Sequence, residues 1–171
     1  MNAPASTPSV RDLDDISIRA ELDGNRRAVV GKLAGLTRQQ ATQVRLPSGV
    51  TLLGVVQHLT WVEREWFENV FLGATTKDWE GPESFVIDDA ATVEGLDADY
   101  RAACRRSDEV VAAAPSLDCT AVREHWYFGP VTLRWILGHL TRETARHAGH
   151  LDVLRELTDG SVGDDGAPDL L

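Results

Sequence analysis

Four residues towards the C-terminal end carry side chains that could bind a metal or move a proton: His139, Glu143, His147 and His150. Their spacing brings such side chains to one side of an α-helix. On a wheel at about 100° per residue, with His139 at zero, His150 falls at about 20°, Glu143 at about 40° and His147 at about 80°. Ile136 and Leu154 fall at about 60°, Leu140 at about 100°, Leu133 and Leu151 at about 120°. Arg134, Thr141, Asp152 and Glu156 take the far side. All four titratable residues are therefore expected on the buried face. An unpartnered buried carboxylate costs several kcal/mol or takes up a proton, so Glu143 needs a compensating group.

A divalent cation is one solution. Imidazole nitrogen and carboxylate oxygen are ligands for zinc or nickel, and Glu143 and His147 project side by side at i and i+4. A Glu143–His147 ion pair is another, and Arg142 or Arg146 could reach the carboxylate. One helix does not decide between them. A further ligand could come from His58, at the edge of the apolar stripe of an earlier helix, one turn after Val55 and one before Val62. Its reading as a hydrogen-bonded core histidine stands beside the ligand reading.

Four segments together resemble a known family. Val56-Gln57-His58-Leu59, the run Val62-Glu63-Arg64-Glu65-Trp66-Phe67, the run from Leu133 to Leu140 and the run from Glu143 to His150 are similar to the DinB-like superfamily, in particular an actinobacterial branch. The resemblance spans about residues 14–158. It implies an all-α four-helix bundle with a divalent metal at its centre, zinc first and nickel second, and frequent homodimers. By position it implies His58, Glu143 and His147 as metal ligands. Members with known activity include mycothiol- and bacillithiol-dependent transferases and maleylpyruvate isomerase. Many members have three histidines; glutamate at position 143 matches the thiol-dependent isomerase type. Where many have Arg-Gly-Gln after the last ligand, this chain has Ala148-Gly149-His150.

The resemblance thus implies a transferase or isomerase that uses mycothiol, a low-molecular-weight thiol, and an electrophilic substrate. Three protein ligands leave a metal open to a further group, and a bound thiol would lose its proton there. His139 and His150 are candidates to orient ligands or move protons, and His150 for a fourth ligand. The alternative is a non-enzymatic, metal-stabilised dimer that binds a small molecule or protein under stress. A bundle without metal is the third reading.

The elements that must position these residues can be read from periodicity and punctuation. A first helix is expected over about 14–35, from Leu22, Val29, Val30 and Leu33. Thr37 and Gln40 have the form of a capping box. Pro47 and Gly49 mark a break, and Thr51 caps a second helix to about Leu72 with Leu52, Val55, Val56, Leu59, Val62, Trp66 and Val70 inward. Residues 73–91 read as a loop in which Trp79, Phe85 and Val86 could pack over the bundle. A third helix runs from Thr92 to before Pro115, and a fourth from about Val131 to Leu157, stopped by Gly160. The connection between them carries His125, Trp126, Tyr127 and Phe128, which either shape a substrate pocket or pack as core and lid. Glu63 lies within the second helix's apolar stripe, where an ion pair with an arginine is expected. Cys104 has no histidine at a spacing that would mark it as a nucleophile. Gly149 in a helix interior costs up to about 1 kcal/mol, and close approach by a neighbour is the expected reason for it.

Composition bounds the rest. The 171 residues suffice for one domain, expected over 14–158, with a disordered lead at 1–13 and a solvated acidic tail at 159–171 carrying Asp164, Asp165 and Asp169. The net charge of −10 argues against nucleic acid as a partner. Two isolated cysteines, the absence of a basic, apolar leader and the lack of any run near the roughly 20 apolar residues of a membrane span fit a reduced, cytoplasmic setting.

Overall fold

The computed structural model describes residues 10–74 and 81–163. Trp79 and the aspartates at 164, 165 and 169 lie outside them, as do residues 1–9 of the expected lead. The helices are α1 (Val10–Gly31), the single turn α2 (Arg38–Ala41), α3 (Leu52–Arg64), α4 (Val93–Ala113) and α5 (Leu133–Asp159). Among the described residues there are no strands, apart from two isolated bridges, Thr120 with Thr132 and His125 with Gly129. No described helix is long and apolar enough to cross a membrane.

Side-chain caps set most of the helix starts. The Thr37 hydroxyl accepts from Gln40 N, and the Gln40 side chain returns the bond to the Thr37 backbone. Thr51, Thr92 and Thr132 accept in turn from Gly54 N, Gly95 N and Trp135 N, each satisfying one of the donors a helix start leaves open. Gly160 ends α5 at φ +80°, a conformation that favours glycine, and its N–H reaches Glu156 O. α1 begins at Val10, earlier than its apolar stripe implied.

α5 packs against α1 and α3, and α3 against α4. The stripe Leu52, Val55, Val56 and Leu59 on α3 is almost fully buried against Leu151 and Leu154 of α5 and Leu96 and Tyr100 of α4. A second cluster joins Leu22, Phe67, Val110, Ile136 and Leu140. At Glu65–Phe71 the second long helix widens into π-helical winding. Trp66, Phe67, Asn69, Val70 and Phe71 are all buried along this stretch. Val62, expected in the stripe, is left half-exposed.

The Glu63 carboxylate is buried and accepts from Arg26 Nε at 2.8 Å and Nη2 at 2.7 Å. This bidentate pair ties α1 to α3, so Glu63 is an ion-pair residue as expected. Arg26 also reaches Asp23 and Asp108. An open cavity of about 480 Å³ lies beside it between α1 and α4.

Candidate metal centre

His58 of α3 and Glu143 and His147 of α5 come together inside the bundle. Their donor atoms all lie within 4.8 Å of one another. His147 Nε2 is 3.0 Å from Glu143 Oε1, and His58 Nε2 is 3.6 Å from the same oxygen. His147 is buried, and His58 and Glu143 are half-buried. Neither Arg142 nor Arg146 takes the carboxylate; two imidazoles do. The Glu143 carboxyl is held well below the usual carboxylate range, by the His147 hydrogen bond first and the nearby His58 imidazole second, against the opposing effect of burial.

His58 is held on two sides. Its Nδ1 is hydrogen-bonded to Ser84 Oγ at 2.8 Å, and its ring stacks on Phe85 with centroids 4.2 Å apart and planes 12° from parallel. Both partners come from the 3-10 turn Gly81–Phe85. That turn is seated by Gln57, whose amide donates to Ser84 O at 3.3 Å and to Val86 O. It crosses α3 at Gly54, where a Cβ would stand 2.6 Å from Phe85 O. Glycine is needed there for the close approach. Ser84, Gln57 and Gly54 were missed in the sequence. A serine among loop residues carries no periodic signal, and its partner is 26 positions away.

The four α5 residues prove unequal. The residues actually buried on α5 run from Ile136 and Leu154 round to Ala148, and this arc is centred near Leu140, Leu151 and Thr144. His147 falls inside it, Glu143 on its shoulder, and His139 and His150 beyond its edge. His150 is exposed, correcting its expected burial. It stands outside the three-residue cluster, with its ring 5.3 Å from that of His147, on the rim of a cavity of about 440 Å³. Leu46, Phe85, Arg146 and Leu154 also line that cavity, and the three central residues open into it. Gly149 is exposed and nothing approaches it within 4 Å, so its expected packing reason is overturned.

His139 is half-buried and makes ring contacts. It stacks on Trp135 at 5.2 Å and 6°, with Trp66 at 4.6 Å and Phe128 at 5.6 Å. Burial, with Arg142 and His125, holds its pKa below the ordinary imidazole value against the opposing pull of Glu143. Cys104 lies at the α1–α4 cavity. Burial first and the Glu63 carboxylate second push its thiol pKa up, which opposes a thiolate nucleophile.

The donor set tests well against a divalent cation. With bonds of about 2.1 Å and angles of about 90–110°, ligand atoms around one zinc stand roughly 3.0–3.4 Å apart. The two nitrogen–oxygen separations, 3.0 and 3.6 Å, fall at and just beyond those limits, while the whole set spreads over 4.8 Å, so the side chains would have to draw together around an ion. His58 Nε2 is buried without a hydrogen-bond partner while it points at the carboxylate. His147 Nδ1 is also buried and unpartnered.

A family model described as mycothiol S-transferase matches residues 17–160. The chain belongs to the mycothiol S-transferase family. The match runs from within α1 to Gly160, so α3, α4, α5, most of α1 and the whole His58–Glu143–His147 cluster lie within the mycothiol S-transferase region. No curated protein and no solved structure matches the chain.

Proposed function

We propose that this mycothiol S-transferase family member transfers the sulfur of mycothiol to a small electrophile at a metal centre held by His58, Glu143 and His147. The observation that carries the reading is the convergence of two imidazole Nε2 atoms, from different helices, on one carboxylate oxygen. A divalent cation, zinc or nickel, would supply Lewis acidity that lowers the pKa of a thiol bound beside it.

The protein's own residues have the remaining work. Ser84 and Phe85 hold the plane and position of His58, as outer partners of metal-binding histidines do. Glu143 contributes negative charge and, with its low pKa, needs no deprotonation to bind a cation. The cavity beside His147 admits the thiol, with Arg146 as a hydrogen-bond donor for its polar body and Leu46 and Leu154 as apolar walls. His150 is the imidazole placed on that rim to accept the thiol proton. A sulfur–carbon bond forms, and the bond from that carbon to the leaving group breaks. The leaving group departs with its electron pair.

The test is metal content and transfer together, on protein purified without a histidine tag. The wild type is expected to carry about one equivalent of a divalent metal, with His58→Ala and His147→Ala losing both metal and transfer of mycothiol to a halide electrophile. Wild type with less than about 0.2 equivalents, and no gain on adding zinc or nickel, would sink the metal centre. Transfer undiminished in His147→Ala would sink metal-based thiol chemistry. Metal without transfer would favour the non-enzymatic alternative.

A further inference from the structure

The hairpin leading into α5 holds aromatic side chains in water beside the centre. Trp126 is 75 % exposed, Tyr127 71 % and Phe128 43 %. They are not on a loose loop. His125 and Gly129 exchange both backbone bonds, at 3.0 and 2.8 Å, and His125 Nδ1 accepts from Tyr127 N and Phe128 N. The hairpin is anchored below by Val122 N to Phe71 O and Arg123 N to Val70 O, on the π-helical turn. A rigid segment thus keeps apolar surface exposed, and rigid presentation lowers the cost of binding.

The rings run to within one helical turn of the centre. Phe128 lies 4.8 Å from Trp135, 5.6 Å from His139 and 6.0 Å from Trp66, centroid to centroid. His139 is one helical turn from Glu143, a separation of about 5–6 Å between Cβ atoms. The polar cavity with Arg146 and His150 lies on the other, C-terminal side of Glu143 along α5. The site therefore has a polar end and an aromatic end.

Size and shape decide what the aromatic end fits. At about 150–250 Å² per aromatic side chain, these exposures leave roughly 300–450 Å² of ring surface in water. That is about half of what one partner gives to a standard protein interface of ~800 Å² per side. The tip rings also meet as corners: Trp126 and Tyr127 are at 64°, and Tyr127 and Phe128 at 89°. Such corners receive a small planar molecule face-on and edge-on.

We propose that this aromatic shelf binds an aromatic group of the electrophile and directs its reactive carbon to the His58–Glu143–His147 centre. The inference rests on the transferase reading for the reaction, but binding to the shelf is testable without it. The variant is Trp126→Ser with Tyr127→Ser, whose exposed side chains carry no helix packing. Binding of naphthalen-1-ylmethanol, an unreactive aromatic alcohol, is measured by ligand-observed NMR on the protein as purified. Transfer of mycothiol is then compared for 1-(chloromethyl)naphthalene and chloroacetamide.

The double variant is expected to bind the alcohol about fivefold more weakly and to lower the naphthyl-over-acetamide rate ratio about fivefold, the size of a stacking contact. Equal binding by wild type and variant overturns the shelf, as does an unchanged rate ratio. A wild-type dimer that becomes a monomer in the variant, with alcohol binding unaltered, assigns the surface to a second copy and also overturns it. If no electrophile reacts with either protein, the transferase reading fails, and the binding measurement decides the shelf by itself.

Discussion

Replacing Glu63 by alanine should destabilise the protein by about 3 kcal/mol, at the low end of the 3–5 kcal/mol expected when a buried ion pair loses one partner. The Arg26 and Glu63 side chains are 7 % and 2 % exposed, so neither charge is solvated by water. Both carboxylate oxygens are engaged, at 2.8 and 2.7 Å. Burial opposes the charge on Arg26, yet its neighbours, Glu63 foremost and Asp108 among them, together raise the guanidinium pKa. Without Glu63 the charge stays, since a guanidinium does not deprotonate. Asp23 and Asp108 still reach Nη1, but they are about half or more exposed and offset less. For a chain of this size the melting temperature should fall by about 6–12 °C, at 2–4 °C per kcal/mol. Thermal and urea unfolding of the wild type, Glu63→Ala, Arg26→Met and the combined Arg26→Met/Glu63→Leu make the comparison. The combined apolar replacement should recover most of the loss, because a buried pair roughly breaks even against apolar residues. A fall of less than about 2 °C for Glu63→Ala, about 1 kcal/mol or less, would refute the reasoning. Metal content should not change in this variant at temperatures where it is folded. Loss of metal there would make Glu63 a support of the centre.

Gly54→Ala should weaken zinc binding about 10–100-fold by isothermal titration, because its Cβ would displace the turn whose Ser84 and Phe85 hold His58; unchanged affinity would show that the turn does not position the ligand. Ser84→Ala should produce a loss in the same range with little change in melting temperature. Gly149→Ala should raise the melting temperature by about 2–4 °C, since the site is open and alanine is better than glycine in a helix by up to about 1 kcal/mol. A fall would reveal packing that the fold does not show. Thr132→Ala removes the cap on Trp135 N and should cost about 1 kcal/mol in urea unfolding, without altering metal stoichiometry.

The sequence by itself determined the helices. Thr51, Thr92 and Thr132 sit where a capping hydroxyl is needed, Gly160 where a left-handed residue is needed, and the apolar stripes between them repeat at helical spacing. Each of these signals acts within a few residues, so local physics expresses it. The i,i+4 pair Glu143 and His147 was legible for the same reason. The convergence of His58 on that pair depends on how α3 and α5 pack, 85 positions apart between His58 and Glu143. Tertiary structure also decided which of the four α5 residues are buried. The wheel gives their angles, but α1 and α3 set where the buried arc is centred, and that left His150 in water. The partners of His58 in the 81–85 turn, the arginine that Glu63 meets and the widened turn that lines up Trp66 with His139 likewise arise from contacts between elements. No periodicity within one element encodes them.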